Sequence, residues 1–368
     1  MSNTSIKYVI MIIALQLSVT SFAAEPDSIR YNIEDFNYLT QFTETNLTTY
    51  PYIIKYHSKE YEKLKKDVRK RITKGEVMET AACDYVFWFF SQFDTHFFVG
   101  CHQFWNKYDS KVHANYSSLM DYDPQPVCQA VDSTTFLVRV PSCTGKNPSF
   151  QWVDSAATAY KNSNCSNLII DIRGNTGGDD GIWTPFINML VDHKPAHPWN
   201  ILFRNTKKNM KIIAERGMDD LAKRAKNTNS PFIPVNEGNE EDEEIPPVGN
   251  PVKMAVIVDS RTASSAETLV SFVRDYCSHG KIYGHDNTSG ANKTGNVAEF
   301  KLPHSGVTCY YPTCVNDDFE QQAKTKQLGI APDVRITIPL PSSLKGEIDS
   351  WTVWVAHDLN NKKNTTIE

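Results

Sequence analysis

No C-x-x-C pair and no H-E-x-x-H occurs in the sequence, so a zinc site has no clustered ligand pairs to build on. His96, Cys101 and His102 lie close together but lack a second ligand cluster, and no metal or other cofactor is implied. Basic charge is not in excess: Lys and Arg total 38 against 43 Asp and Glu, a formal net charge of −5. Neutralising phosphates needs a basic surface, which excludes nucleic acid as the main partner. No internal repeat is evident. After the first two dozen residues no apolar run approaches the roughly 20 residues that a membrane span requires. What is present is a chain of 368 residues, 40% hydrophobic and 11% aromatic, a composition that excludes a disordered or fibrous protein. It is long enough for two ordinary domains, or for one large catalytic domain with a helical appendage.

The first 24 residues form a separate object. Lys7 precedes the apolar run YVIMIIALQLSV, and SFAA leads into a charged segment from Glu25. This is the pattern of a secretory signal peptide cleaved near Ala24 or Glu25, and it predicts an exported protein, secreted or periplasmic, with no span after cleavage. In an oxidising compartment the eight cysteines (Cys83, Cys101, Cys128, Cys143, Cys165, Cys277, Cys309 and Cys314) are expected to form disulfides. YYPT, between Cys309 and Cys314, reads as a turn, so a local bridge is expected there. Asn-x-Ser/Thr triplets begin at Asn46, Asn115, Asn164, Asn287, Asn292 and Asn364, and matter only in a host that glycosylates.

Residues 26–92 read as helical, with Ser58 as an N-cap and the aromatic cluster Tyr85–Phe90 as core. Polar sequence over 106–133 reads as loop. From 134 the pattern becomes alternating strand and helix: strands at 134–140, 167–172 and 252–259, helices at 150–163, 182–191 and after Ser264. Short strands are expected near 281–284, 296–302, 306–311 and 334–338, a charged surface helix at 204–226, and a solvated acidic loop at 236–251. These patterns predict a signal peptide at 1–24, an N-terminal helical domain at 25–105, an α/β core of alternating strands and helices at 106–345, and a C-terminal tail at 346–368.

Three segments carry candidate chemistry. In NLIIDIRGNTGGDDG a buried strand runs into a glycine turn whose N–H groups suit an oxyanion, with Gly177 and Gly178 as donors and Asp171 and Arg173 holding the turn. The G-K-[ST] of a phosphate loop is missing, as is the dinucleotide G-x-G-x-x-G. In MAVIVDSRTASSAETLVSF, Ser264 and Ser265 lie where strand gives way to helix, the place where a nucleophilic hydroxyl meets a backbone N–H. The same residues fit a capping box, Ser264 with Glu267, and the G-x-S-x-G elbow is absent. Asp94-Thr95-His96 follows the aromatic helix and supplies an imidazole flanked by a hydroxyl and a carboxylate.

Taken together and in this order, the three segments resemble the C-terminal-processing (tail-specific) serine peptidase family, whose relatives include the tricorn core protease and the retinoid-binding modules of photoreceptors. D-T-H is similar to the D-x-H that carries the histidine in the tricorn-like branch. NLIIDIRGNTGG resembles the D-x-R-x-N-x-G-G turn, TASSAE the S-x-x-E nucleophile turn, YGHDNTSGA the G-x-x-T-x-G turn and GIAPD the G-[IV]-x-P-D close. The resemblance spans roughly 30–340. It implies a crotonase-like α/β core, a polypeptide substrate, Ser264 as nucleophile, His96 as general base, and an oxyanion site from Gly177 or Gly178 with Ser265. Thr95, Asp171, Arg173 and Glu267 would be supporting residues.

Departures from the family pattern are informative. The stretch from His96 to Thr134 is too short for a PDZ module. Where the lysine-dependent branch has its lysine this chain has Thr288-Ser289-Gly290-Ala291, with Lys293 offset, which favours Ser–His over Ser–Lys. The glutamate that completes the relay in the tricorn-like branch is replaced by Lys326, so its role is expected to pass to Thr95 or to Asp317, Asp318 or Glu320. The competing expectation is a peptidase-fold protein that binds a peptide or hydrophobic ligand without cleaving it.

Overall fold

The computed structural model describes residues 26–100, 123–193, 200–236, 253–345 and 348–360. The leader, Cys101 and His102, most of the 106–133 loop, the acidic loop from 237, Asn115 and Asn364 lie outside the described residues. Three helices open the chain: α1 (Pro26–Asn46), α2 (Tyr50–Ile72) and α3 (Met78–Phe89), followed by a 3-10 turn at Phe90–Gln92. Ser58 is not an N-cap. Pro51 starts α2 in its first turn, where its missing N–H costs nothing, and the helix runs through Ser58 just after a kink at His57 (φ −124°, ψ 24°). His57 Nε2 lies 3.0 Å from the Ala323 carbonyl oxygen, tying the kink to the far end of the chain.

Six strands form a sheet in the order β11–β8–β7–β4–β3–β2. They are β2 (Val127–Ala130), β3 (Thr135–Arg139), β4 (Asn167–Asp171), β7 (Lys253–Ile257), β8 (Gly280–Gly284) and β11 (Val334–Arg335). All pairings are parallel except the antiparallel edge strand β2. Both faces are covered, which is why these strands read as continuous apolar runs. Val138, Ile170 and Val256 pack under α4 (Phe150–Asn162), α5 (Thr184–Leu190) and α8 (Ser265–Tyr276). Leu137, Ile169 and Ala255 face α10 (Ser350–Asn360), through Trp351, Val355 and Leu359.

A second, antiparallel sheet contains β1 (Phe98–Val99), β5 (Ile201–Arg204), β6 (Phe232–Pro234), β9 (Thr294–Lys301) and β10 (Thr308–Asn316). It packs against α1–α3 in one apolar cluster, with Phe42 stacked on Phe300 and edge-on to Tyr311. The charged 204–226 segment is two helices, α6 (Lys207–Glu215) and α7 (Asp219–Lys226), separated at Gly217 (φ +84°). A short helix, α9 (Phe319–Thr325), follows β10.

The expected Cys309–Cys314 bridge is corrected. YYPT is the middle of β10, so the Cα atoms of Cys309 and Cys314 are about 17 Å apart along an extended strand, far beyond disulfide reach. Pro312 is tolerated there because its carbonyl faces away from β9, into the gap between β1 and β5, where Thr48 Oγ1 donates to it (3.0 Å). Cys128, Cys143, Cys165, Cys277, Cys309 and Cys314 are all unbridged thiols, against the expectation of disulfides. Among the described residues, no helix is long and apolar enough to cross a membrane.

Candidate active site

The turn between β7 and α8 is built by Asp259 and Thr262. Asp259 Oδ1 accepts the N–H groups of Arg261 (2.9 Å) and Thr262 (3.1 Å), while its Oδ2 accepts Gly174 N–H (3.0 Å) and so joins this turn to the glycine turn after β4. Ser264 follows at the head of α8 with φ 53° and ψ −124°. The capping arrangement with Glu267 is present, and Ser264 N–H donates to Glu267 Oε2 (3.1 Å). An ordinary N-cap nevertheless sits in the β region, whereas a non-glycine residue at positive φ costs on the order of 1–3 kcal/mol and is held only where its surroundings over-determine it. Glu267 provides that hold. Fully buried, it also accepts Thr288 Oγ1–H (2.5 Å), Gly290 N–H (2.8 Å) and Ala291 N–H (2.7 Å). Burial pushes its carboxyl up to about 7 in spite of these donors.

The glycine turn rests on a buried ion network. Asp171 accepts Arg139 Nε (2.6 Å) and Arg173 Nη2 (2.6 Å), and Asp349 bridges the same two guanidinium groups at 2.6 and 2.7 Å. Burial alone would raise the Asp171 carboxyl, but Arg173 and Arg139 outweigh it and hold it well below the usual carboxylate range. Asp171 and Arg173 thus pair with each other at the end of β4, immediately before Gly174. Asn175 carries the turn forward, its Nδ2 donating to the Val140 carbonyl (2.8 Å) and its Oδ1 accepting Gly177 N–H (2.9 Å). Gly177 N–H is thus engaged within the turn. Gly177 has a further use, because a Cβ there would lie 2.6 Å from Ser264 Cβ and 3.0 Å from Ser265 N. Gly178 pairs alongside Cys143, and Ser265 Oγ donates to its carbonyl (2.8 Å). Among the described residues, neither Gly178 N–H nor Ser265 N–H meets an acceptor.

His96 lies in the break after α3 and is 9% exposed. Its Nδ1 meets Thr294 Oγ1 (2.8 Å), whose hydroxyl donates to Asp94 Oδ1 (2.7 Å); the same oxygen accepts the His96 backbone N–H (2.9 Å). Burial pushes Asp94 up to about 6 and His96 down to about 4. Thr95 makes no hydrogen bond to the ring, because the residue that reaches Nδ1 comes from the first position of β9. Two of the other expected substitutes are paired elsewhere: Asp318 with Lys293 (2.5 Å) and Glu320 with Lys55, and no hydrogen bond joins Asp317 to His96 among the described residues. Lys326 Nζ pairs with Glu60 (2.7 Å) on α2 and not with the histidine.

The structure thus brings Ser264, Ser265, Gly177, Gly178 and Glu267 into direct contact, and gives His96 a partner chain of its own. Among the described residues no hydrogen bond joins Ser264 to His96. Asp259, Asn175, Thr294 and Asp349 escaped the sequence reading. Asp259 had a visible signal, since VIVD ends its strand as IIDI does, and Asn175 is the Asn of the glycine-turn motif. Thr294 had no local signal. No group of three or more His, Cys, Asp and Glu that could hold a metal occurs among the described residues.

No curated protein matches the chain. Among solved structures it is similar to a candidate peptidase from Parabacteroides merdae, with a TM-score of 0.57 at 15% identity over 93% of this chain and 99% of that one. It is also similar to mature CPAF, with a TM-score of 0.57 at 10% identity over 84% and 93%. At such identities the likeness is one of fold. The family model adds what fold cannot: residues 135–336, more than half of the chain, match peptidase family S41. That stretch runs from β3 through the glycine turn and the strained Ser264 to β11, and the chain belongs to peptidase family S41.

Proposed function

We propose that this protein is an exported serine peptidase with Ser264 as nucleophile and His96 as general base, on a crotonase-like core. The observation that carries the reading is the strained Ser264, held at the mouth of α8 by Glu267 and seated against Gly177. A side chain placed so, on a sharp strand-to-helix turn, presents its hydroxyl beside open N–H groups. Ser264 Oγ attacks the peptide carbonyl carbon and its proton passes to His96 Nε2, the ring nitrogen that Thr294 does not occupy. Gly178 N–H and Ser265 N–H hold the oxyanion, and losing one such donor costs about 2.7–4 kcal/mol in the barrier. The imidazolium then protonates the leaving amine, and water repeats the sequence on the acyl-enzyme. The leader pattern around Lys7 supports export, and a polypeptide is the substrate that the family supports.

Ser264→Ala removes only the hydroxyl. It is expected to abolish both turnover of an unfolded polypeptide and stoichiometric labelling by a fluorophosphonate, with unfolding unchanged. A Ser264→Ala protein that still cleaves refutes the nucleophile. Folded wild-type protein that neither labels nor cleaves replaces the enzyme with a peptide-binding protein of the same fold.

A further inference from the structure

We infer that Thr294 is a positioning residue that locks His96 in the tautomer able to act as a base, with Asp94 fixing the direction of the lock. This rests on the Ser264–His96 reading above and adds what makes the histidine competent. A neutral imidazole carries one proton, and Ser264 can pass its own only to a bare Nε2. Which nitrogen is bare depends on what Nδ1 meets. Nδ1 meets a hydroxyl, a group that donates or accepts according to its other partner.

That other partner is Asp94 Oδ1. The His96 backbone N–H can only donate, and at 2.9 Å it fixes Oδ1 as an acceptor. Thr294 has a single proton, and at 2.7 Å from Oδ1 that proton points to Asp94. Only lone pairs remain on Thr294 Oγ1 to face Nδ1, so His96 carries its proton on Nδ1 and Nε2 is bare. The remaining oxygen of Asp94 is buried and has no partner among the described residues, so nothing on that side competes for the carboxylate. In the reaction the Ser264 O–H bond breaks as the O–C bond forms, and the proton settles on Nε2. The imidazolium charge is then shared along Nδ1–H, the Thr294 hydroxyl and Asp94 without another proton moving. A hydroxyl carried 198 residues away in sequence thereby substitutes for the direct carboxylate contact that Lys326 cannot make.

The test has one arm that needs no activity. In full-length, histidine-15N-labelled Ser264→Ala protein, the His96 ring signals are identified by their loss in His96→Asn. At pH 7.5 they should report the Nδ1–H tautomer. Adding Thr294→Ser should preserve it, and Thr294→Val or Asp94→Asn should shift the ring toward Nε2–H. In the active protein, Thr294→Val should lower kcat on the order of 10²-fold with KM nearly unchanged, and Thr294→Ser should restore most of it. An unchanged tautomer in Thr294→Val, or equal impairment by Ser and Val, overturns the inference, the latter by showing a packing role. If Thr294→Val does not fold, Asp94→Asn decides by the same two readouts. If wild-type protein shows no turnover, the peptidase reading fails, while the tautomer arm still tests the lock.

Discussion

Alanine at Gly177 separates two costs that a glycine turn usually confounds. Gly177 has φ +97°, and an added Cβ would lie 2.6 Å from Ser264 Cβ, 2.9 Å from the Ala263 carbonyl oxygen and 3.0 Å from Ser265 N. Two of these three are backbone atoms and the third is the Cβ of the strained serine, so the contact cannot be relieved by a rotamer change. Gly217 is the control: its φ is +84°, and an added Cβ meets nothing within 4 Å. Both substitutions incur the left-handed backbone strain of about 1–2 kcal/mol. Only Gly177→Ala adds overpacking, at about 1–3 kcal/mol. The expected losses are therefore about 2–5 kcal/mol for Gly177→Ala and about 1–2 kcal/mol for Gly217→Ala. Relieving the clash moves Ser264 and Ser265 away from Gly178, so fluorophosphonate labelling should slow by about 10²–10³-fold in Gly177→Ala alone. Denaturant midpoints and labelling rates on the two variants check both numbers. Equal destabilisation and equal labelling would refute the argument, since the contact would then be absent.

Four further outcomes follow from the charged groups. Labelling should fall as pH drops through about 6, where Asp94 takes a proton, before His96 titrates near 4. The other titratable groups facing this turn are Cys314, on β10, and His57 and Lys326, which lie against Phe93, and Asp94→Asn should remove the limb near 6. Stability should not follow the same curve. Asp94, raised in the fold, contributes stability that is lost as pH rises from its unfolded value toward 6. His96, lowered in the fold, loses stability as pH falls from 6.5 toward 4, so the two slopes oppose each other and nearly cancel. Asp171→Ala leaves Arg139 and Arg173 buried with only Asp349 of the two carboxylates they share and should cost about 3–5 kcal/mol in a denaturant titration; a loss below about 1 kcal/mol would remove the ion network as the support of the turn. Lys326→Glu breaks a partly exposed pair with Glu60 and should cost less than about 1 kcal/mol without raising turnover, whereas a ten-fold gain would show that His96 lacks an orienting group.

The parts of this protein that were legible from sequence are those whose cause is local. β3, β4 and β7 announce themselves because both faces are buried, and α8 because Ser264 and Glu267 mark its start. Gly177 and Gly178 were legible as a turn, but the engagement of Gly177 N–H was not, because it depends on where the Asn175 side chain points. Thr95 was the natural partner for His96 by proximity along the chain, and Thr294 displaced it through a fold contact that no spacing encodes. YYPT looked like a turn because Pro312 is a turn former, yet here the gap between two end-to-end strands receives its carbonyl. The C-terminal segment, too, gave no element in advance. Trp351, Val355 and Leu359 define a helical face only once the sheet beneath them is known.

The two apolar clusters divide the proposed chemistry between them. His96, Asp94 and Thr294 stand where α3 and the antiparallel sheet meet, on the cluster built by α1–α3, β9 and β10, whereas Ser264 and the glycine turn belong to the parallel sheet. On the proposed roles, base and nucleophile would rest on different apolar clusters, and sub-global opening of one cluster without the other is the expectation to test. A sub-global opening of the helical unit would carry His96 away from Ser264 while the parallel sheet stayed folded. Amide exchange would show this as protection lost first in α1–α3, β9 and β10. Protection lost at the same rate in both clusters would instead show that the two open as one unit.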